Sequence, residues 1–299
     1  GNLVTTRNYD ILGRMTSLVD PASNTWSYTF DSVPRNLTKN DPDAGNWSFT
    51  YDDAGRLLTQ TDAKSQTTTL TYDSIGRLST KANPTETVTT TYSQARSGSF
   101  NTGRATTVAS SLGNGTLQFD YDALGRVVKQ TRTIDGTNYT VQKDYDTAGY
   151  LRGMQYPDGD IIGQFGGSGT ALGYDQAGRL SSIPGILTSV TYNALGAPLV
   201  QTNANGTTTT KTYDADRFWL KTIRTTAPSL TPQDLVYTLN DAGMATQVTS
   251  PFGTEGWTYG YDELNRLTSS TNTGAPANNQ TWVYDSLGRI TNNSRIGHY

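Results

Sequence analysis

The sequence predicts an all-β fold, a repeat array of antiparallel β-hairpins joined edge to edge into one long curved or spiralling sheet. Three observations carry that prediction. A tyrosine, an aspartate, two variable residues, a glycine, an arginine and an aliphatic residue recur from end to end at a spacing near 20 residues. The residues before each tyrosine alternate ring and hydroxyl side chains, a period of two that only a strand provides. The composition is that of strands and turns: 18 Tyr, 5 Trp and 7 Phe supply much of an apolar fraction of only 34%, and just three glutamates, Glu86, Glu255 and Glu263, accompany the many aspartates.

The motif is plainest in Tyr51-Asp52-x-x-Gly55-Arg56, Tyr72-Asp73-x-x-Gly76-Arg77, Tyr121-Asp122-x-x-Gly125-Arg126 and Tyr174-Asp175-x-x-Gly178-Arg179. It returns in Tyr9-Asp10-x-x-Gly13-Arg14 and Tyr284-Asp285-x-x-Gly288-Arg289, and as Tyr261-Asp262-x-x-Asn265-Arg266, where asparagine replaces glycine. Aligning on the tyrosine gives thirteen anchors: Tyr9, Phe30, Tyr51, Tyr72, Tyr92, Tyr121, Tyr145, Tyr174, Tyr192, Tyr213, Leu239, Tyr261 and Tyr284. Their spacing is 21, 21, 21 and 20, then between 18 and 29, so insertions fall in the connections of the middle units, where added length costs least.

Each unit reads as strand, tight turn, strand, looser turn. In Trp26-Ser27-Tyr28-Thr29-Phe30, Trp47-Ser48-Phe49-Thr50-Tyr51 and Trp257-Thr258-Tyr259-Gly260-Tyr261 the rings sit two apart and therefore share one sheet face. Asp at the first turn position and Gly at the fourth match a type I turn followed by a residue of positive φ, the hairpin connection with a bulge. Asn265 is the residue that best tolerates that geometry after glycine. The returning strand, such as Leu57–Thr61, ends in a second turn signal, and Asp20-Pro21, Asp41-Pro42 and Asn83-Pro84 place proline where its fixed φ starts a turn. Two strands in about 21 residues bury no face alone, so units must pair along their edges.

Composition also excludes. With no cysteine there is no disulfide, thiol nucleophile or thiolate metal site. A net charge of −3 without a Lys/Arg run disfavours nucleic acid as a partner. No window approaches a membrane span, and the first residues carry no signal-peptide pattern.

The residues Tyr-Asp-x-x-Gly-Arg, with an aliphatic residue next and Asp-Pro in the following turn, resemble the RHS/YD repeat family. The resemblance covers essentially residues 9–299, and Tyr156-Pro157-Asp158-Gly159 looks like a variant turn of that family. It implies a spiralling sheet of hairpins that closes into a hollow shell, as in bacterial polymorphic toxins, the C component of insecticidal toxin complexes and the YD shell of teneurins. It further implies a shell that holds a toxin polypeptide, a secreted or cell-surface bacterial location, and either polypeptide cargo or neighbouring shell segments as partners. Toxin-bearing members end the shell with a signature of catalytic aspartates, which residues 292–299 do not match. The expectation is one array over residues 1–299, a segment of a longer shell, with no catalytic residue, metal or cofactor.

The other candidates each have a bland reading. His298, the single histidine, reads as an exposed end residue rather than a catalytic base. The pairs Asp41/Asp43, Asp158/Asp160 and Asp214/Asp216 read as turn caps rather than acid/base or calcium carboxylates. The arginines Arg14, Arg35, Arg56, Arg77, Arg126, Arg179, Arg266 and Arg289 could bind an anion, but pairing with Asp or stacking on tyrosine suits them better. Asn46, Asn114, Asn138 and Asn205 head glycosylation triplets that matter only in a eukaryotic secretory setting. Gly163–Gly169 reads as a flexible connection and not a phosphate loop. The aromatic face either packs the sheet or stacks on sugar or unfolded peptide. The alternative function is therefore an extracellular carbohydrate-binding or adhesion module, with Trp26 and Trp257 as its testable rings.

Overall fold

The computed structural model describes residues 4–113, 115–252 and 255–298. Among them the chain is strand and turn throughout, the one helical element being a single 3-10 turn, Pro276–Asn278. All thirteen anchors are the last residue of a strand, from Thr6–Tyr9 and Thr25–Phe30 to Trp257–Tyr261 and Gln280–Tyr284. The sequence period is thus the hairpin period.

The chain divides into two compact units, Gly1–Lys143 with Gln155–Asp160, and Asp144–Met154 with Ile161–Tyr299. In the first, strands from Thr6–Tyr9 to Thr137–Tyr145 lie side by side in chain order. In the second, Leu151–Gln155 neighbours Ile161–Gly163, Gly173–Tyr174 pairs with Leu180–Ser182, and an 11-stranded antiparallel sheet runs in chain order from Leu187–Tyr192 to Gly297–His298. Consecutive antiparallel strands need only short turns, so no crossover is required.

The register slips one step before the anchor in every motif hairpin whose pairing is resolved this finely. Thr50 lies opposite Thr59 but Tyr51 opposite Leu57, and Gly260 opposite Ser269 but Tyr261 opposite Leu267. That is the bulge that an Asp-x-x-Gly connection produces.

Strands make substantial contact only with their neighbours in order. Among the described residues no element packs as a second layer on either face within a unit, and only Leu187, Val190 and Val248 are buried apolar side chains. Burial instead alternates along a strand, as in Gly45–Tyr51, where Trp47, Phe49 and Tyr51 are half-buried and Asn46, Ser48 and Thr50 exposed. The face opposite the rings carries cross-strand hydroxyl pairs: Thr29 with Thr38 at 2.6 Å, Thr50 with Thr59 at 2.6 Å, Thr61 with Thr67 at 2.9 Å and Thr71 with Thr80 at 2.6 Å. Cross-strand pairs of this kind are the unit of sheet stabilisation where a core is thin.

At two units the second connection departs from expectation by being as tight as the motif turn. Ser23 and Ser65 take φ of 67° and 59°, and their N–H groups donate to Asp20 O and Asp62 O at 3.0 Å, repeating the motif turn with serine in the glycine place. Serine carries no turn signal of its own there; the Asp five residues before the next strand does.

Candidate functional site

The repeated Asp, Gly, Arg and Tyr are the feature that any function must be built on, and they assemble in a fixed order. The aspartate makes the turn. Asp73 Oδ1 accepts the N–H of Ile75 at 3.1 Å and of Arg77 at 2.9 Å, while Gly76 N–H donates to Asp73 O at 2.9 Å. Gly76 has φ +85°, a conformation in which a Cβ is strained. Asn265 takes φ 63° in the same place and donates to Asp262 O, as its tolerance of left-handed backbone requires. The backbone N–H of the arginine four residues on is foremost in holding Asp10, Asp31, Asp52, Asp73, Asp175 and Asp262 below the usual carboxylate range. These carboxylates are committed acceptors, which is the opposite of a poised acid or base.

The arginine joins one hairpin to the next. Its Nε donates to Oδ2 of its own turn's aspartate, at 2.6 Å for Arg35 and Asp31. Its Nη1 reaches the first carbonyl of the following motif turn: Arg14 to Asp31 O at 2.7 Å, Arg35 to Asp52 O at 2.9 Å, Arg179 to Asn193 O at 3.1 Å and Arg266 to Asp285 O at 3.3 Å. The same guanidinium lies over the following anchor ring, at 5.0 Å for Arg14 and Phe30, 4.7 Å for Arg56 and Tyr72, 4.0 Å for Arg77 and Tyr92 and 4.5 Å for Arg266 and Tyr284.

The tyrosine returns the link. Its hydroxyl donates to the carbonyl of the residue after the previous arginine: Tyr51 to Asn36 O at 2.9 Å, Tyr72 to Leu57 O at 2.8 Å, Tyr192 to Leu180 O at 2.6 Å and Tyr284 to Leu267 O at 2.8 Å. Tyr121 does the same with Ala105 O at 2.8 Å, and Tyr261 bonds Ala245 O at 2.8 Å although Met244 stands in the arginine place before it. Arginine forward and tyrosine back make a two-way staple across strands that share no second layer. Tyr9, the first anchor, is 57% exposed, and Arg289 of the last motif reaches Asp285 Oδ2 at 2.8 Å.

Where the motif fails, a neighbour fills in. Tyr150 stands in the arginine place after Asp146, and its ring stacks on the next anchor, Tyr174, at 4.8 Å, whose hydroxyl still bonds Leu151 O at 2.9 Å. Leu239 offers no ring, and Trp219 of the preceding hairpin supplies one: Arg217 lies 4.8 Å over it, and it packs so closely on Gly243 that a Cβ there would come within 3.0 Å. That hairpin's turn is one residue longer, closed by Asp214 N–H to Trp219 O, and puts Phe218 at φ 56°. A bulky residue at positive φ is strained. After Tyr92 the insertion of residues 93–104 folds over a polar centre: Arg96 bonds Asp120 Oδ1 at 2.7 Å, and the buried Asn101 bonds the same oxygen at 3.0 Å. Nothing in the repeat pattern announces that network.

The remaining candidates fall as follows. The first carboxylate of each Asp pair accepts the N–H of the second, at 3.0 Å for Asp41 and Asp43, 3.1 Å for Asp158 and Asp160 and 3.0 Å for Asp214 and Asp216. Lys39 foremost draws Asp41 down to about 2. Among the described residues no three His or carboxylate side chains gather where they would hold a metal ion. His298 is exposed, its backbone opposite Asn292. Asn46, Asn138 and Asn205 are exposed, and Asn114 lies outside the described residues.

Gly163–Gly169, read from sequence as a flexible connection, contains a defined turn. Phe165 and Ser168 exchange backbone hydrogen bonds at 2.9 and 3.1 Å around Gly166 and Gly167, both at positive φ, making a closed two-residue turn. Close backbone approach at Gly153, where a Cβ would come 2.5 Å from Gln164 N, adds to the need for glycine.

Fold and ladder together define a β-hairpin repeat scaffold in which the repeated polar residues brace neighbouring units. Residues 51–89 and 240–277 match the RHS Repeat family. No curated protein matches the chain. Among solved structures, TcdB2-TccC3 aligns at a TM-score of 0.78 and 21% identity over 99% of this chain and 18% of that one. The Tc holotoxin pore of Photorhabdus luminescens, with a mutated TccC3, aligns at 0.77 and 20%, over 99% and 18%. TcdB2-TccC3 without its hypervariable C-terminal region aligns at 0.76 and 20%, over 99% and 18%. Those two stretches, 51–89 and 240–277, are RHS repeats, and the chain shares the fold of these toxin-complex proteins, spanning about a fifth of their length (18%).

Proposed function

We propose that this chain is a noncatalytic segment of the wall of a β-shell that encloses a polypeptide, and that it works by containment. One observation carries the reading. The Asp, Arg and Tyr that recur in the motif, the residue types a catalytic or recognition site would use, are spent on bonds to the turn and to the next hairpin. A repeat whose polar groups only join unit to unit extends a surface. The likeness to TcdB2-TccC3 along 99% of the chain supports the same role, as does the single-layer sheet, which has two faces to divide between outside and inside.

Such a wall excludes proteases and keeps a reactive chain from its surroundings. The polypeptide inside, and a secreted or surface location in a bacterium, belong to this proposal. Among the described residues no helix is long and apolar enough to cross a membrane. The test is protease protection of an unstructured polypeptide fused to the C-terminus of the chain. Protection that exceeds that of the same polypeptide on an unrelated β-protein is expected. Equal cleavage of both would overturn the reading, as would peptide or glycoside hydrolysis abolished by Asp substitutions.

A further inference from the structure

The motif turns carry a feature that their own geometry does not ask for. Along the chain the third residue of each four-residue motif turn is Leu, Ile, Val or Ala, where turn chemistry favours Asp, Asn, Ser or Gly. The turn uses only the backbone of that residue: the N–H groups of Leu12, Val33 and Ile75 donate to their turn aspartates at 2.9, 2.9 and 3.1 Å. The side chains are left in solvent, with Ile11 100% exposed, Leu12 64%, Val33 60% and Ile75 72%. Ala54 takes the place between Val33 and Ile75. A single exposed aliphatic residue is ordinary; a row renewed hairpin after hairpin along one rim of a sheet marks a surface that meets something.

The opposite rim of the same hairpins is built from smaller residues. Pro21 and Ala22, Pro42 and Ala44, and Ala63 stand exposed in the second connections. Each hairpin adds one tip to either rim, so both rows advance by two strand spacings, about 9.5 Å. That pitch is most regular over residues 9–92, where the anchors stand 21, 21, 21 and 20 residues apart and the strands from Thr6–Tyr9 to Thr87–Tyr92 lie side by side in one sheet.

We infer that these two rims are the halves of one self-association surface: the aliphatic rim of one copy of this chain seats in the Pro/Ala rim of a second copy, laying two hairpin strips side by side. The pitch selects the partner. A row of tips about 9.5 Å apart over several hairpins is matched along its length by another strip of the same hairpins. Size selects the rim, because large tips interdigitate with small ones, whereas two aliphatic rims would stand tip on tip. A fully buried aliphatic side chain of this size hides about 60–120 Å². Four of them, with the small residues they cover, come to several hundred Å², under the roughly 1,200 Å² at which standard interfaces begin, so the contact is weak, with a Kd on the order of 100 µM.

A lipid surface fits less well. Asp53 stands among the tips, and Arg14, Arg35 and Arg56 behind them are bound to their own turn aspartates, which spends on the turn the charge that an anionic membrane would need. Because the two rims differ, the contact is heterologous: each added copy leaves one rim of each kind open, and association continues past the dimer. The inference names the partner of the wall proposed above and rests on that reading for its purpose alone. Rims can join without cargo, and cargo can be protected by a chain that stays single, so either reading can fail by itself.

The test is analytical ultracentrifugation of the purified chain from about 10 to 500 µM, a range that brackets the expected Kd. Weight-average mass should rise with concentration. Leu12→Asp with Ile75→Asp on the aliphatic rim, and Ala22→Glu with Ala44→Glu on the other, should each weaken association at least tenfold. Circular dichroism should stay unchanged, because these exposed positions give the turn only their backbone. An equimolar mixture of the two double variants should recover a one-to-one dimer with a Kd on the order of 100 µM and grow no further, since one intact rim of each kind remains. A wild-type chain that stays monomeric at about 500 µM would overturn the inference, as would variants that associate like wild type or a mixture that stays monomeric. So would a monomeric wild type that pellets with phosphatidylcholine vesicles and loses that binding in Leu12→Asp with Ile75→Asp.

Discussion

Removing one hydroxyl tests whether the staple, and not the sheet alone, holds neighbouring hairpins. In Tyr72→Phe the ring stays under Arg56 at 4.7 Å, but the 2.8 Å bond to Leu57 O is lost. A part-buried hydrogen bond of this kind is worth about 1 kcal/mol, within a range of about 0.5–1.5. Local opening of the hairpins over residues 45–72 should therefore become about fivefold more frequent. Hydrogen exchange read by mass spectrometry on peptides from that stretch measures it, because a repeat array opens unit by unit and a global midpoint would dilute the effect. The cation–π contact adds a second arm. Arg56→Ala combined with Tyr72→Leu should show a coupling of about 0.5–1 kcal/mol, at the lower end because the arginine side chain is 37% exposed and screened. If Tyr72→Phe exchanged at the wild-type rate over residues 45–72, water would be replacing the hydroxyl and the staple reading would be wrong. Zero coupling would reduce the Arg56 contact to coincidence.

Three further outcomes follow from the geometry. Gly13→Ala meets nothing within 4 Å and should cost only the strain of φ +77°, about 1 kcal/mol. Gly153→Ala would press on the Gln164 backbone and should cost severalfold more; chemical denaturation of both variants compares them, and equal costs would refute the close approach. Phe218→Gly should stabilise the second unit by about 1 kcal/mol by relieving the left-handed strain, seen as a rise in Tm, and a fall would show that the exposed Phe218 side chain packs more than its exposure suggests. Acid should weaken the sheet in a defined window. Asp41 has a folded pKa of about 2, below its ordinary value near 4, so its contribution is complete above about pH 4–5 and is lost as pH falls through about 2. The other motif aspartates are lowered as well and act with the same sign. Melting temperature followed from pH 6 to 2 should fall, and Asp41→Asn should flatten that fall; a Tm independent of pH would refute the assignment.

Much of this protein was legible in its sequence because its contacts are local. Hairpin turns, strand ends and ring parity are decided within about ten residues, so Asp73, Gly76 and Tyr72 announce their own geometry, and each of the thirteen anchors ends a strand. The tight, positive-φ form of the turns at Ser23 and Ser65 escaped notice because serine adopts positive φ there under the hold of Asp20 and Asp62. The turn inside Gly163–Gly169 was not legible because a closed turn and a linker have the same glycine composition.

What the tertiary structure alone decided is who meets whom across units. The sequence leaves Arg56 free to pair with its own or a neighbouring aspartate, or to stack; the strand register brings it to its own Asp52 and the next ring, Tyr72, together. The same register lets Tyr150 and Trp219 replace missing partners, gathers Arg96, Asn101 and Asp120 into one network, and sets Tyr237, Val248 and Trp257 in a row. Those meetings depend on side chains some 10 to 25 residues apart in sequence, which no local propensity encodes. The sequence by itself determined the repeating hairpin; the register between hairpins determined the bracing, because a pleated sheet fixes which side chains share a face only once its strands are paired.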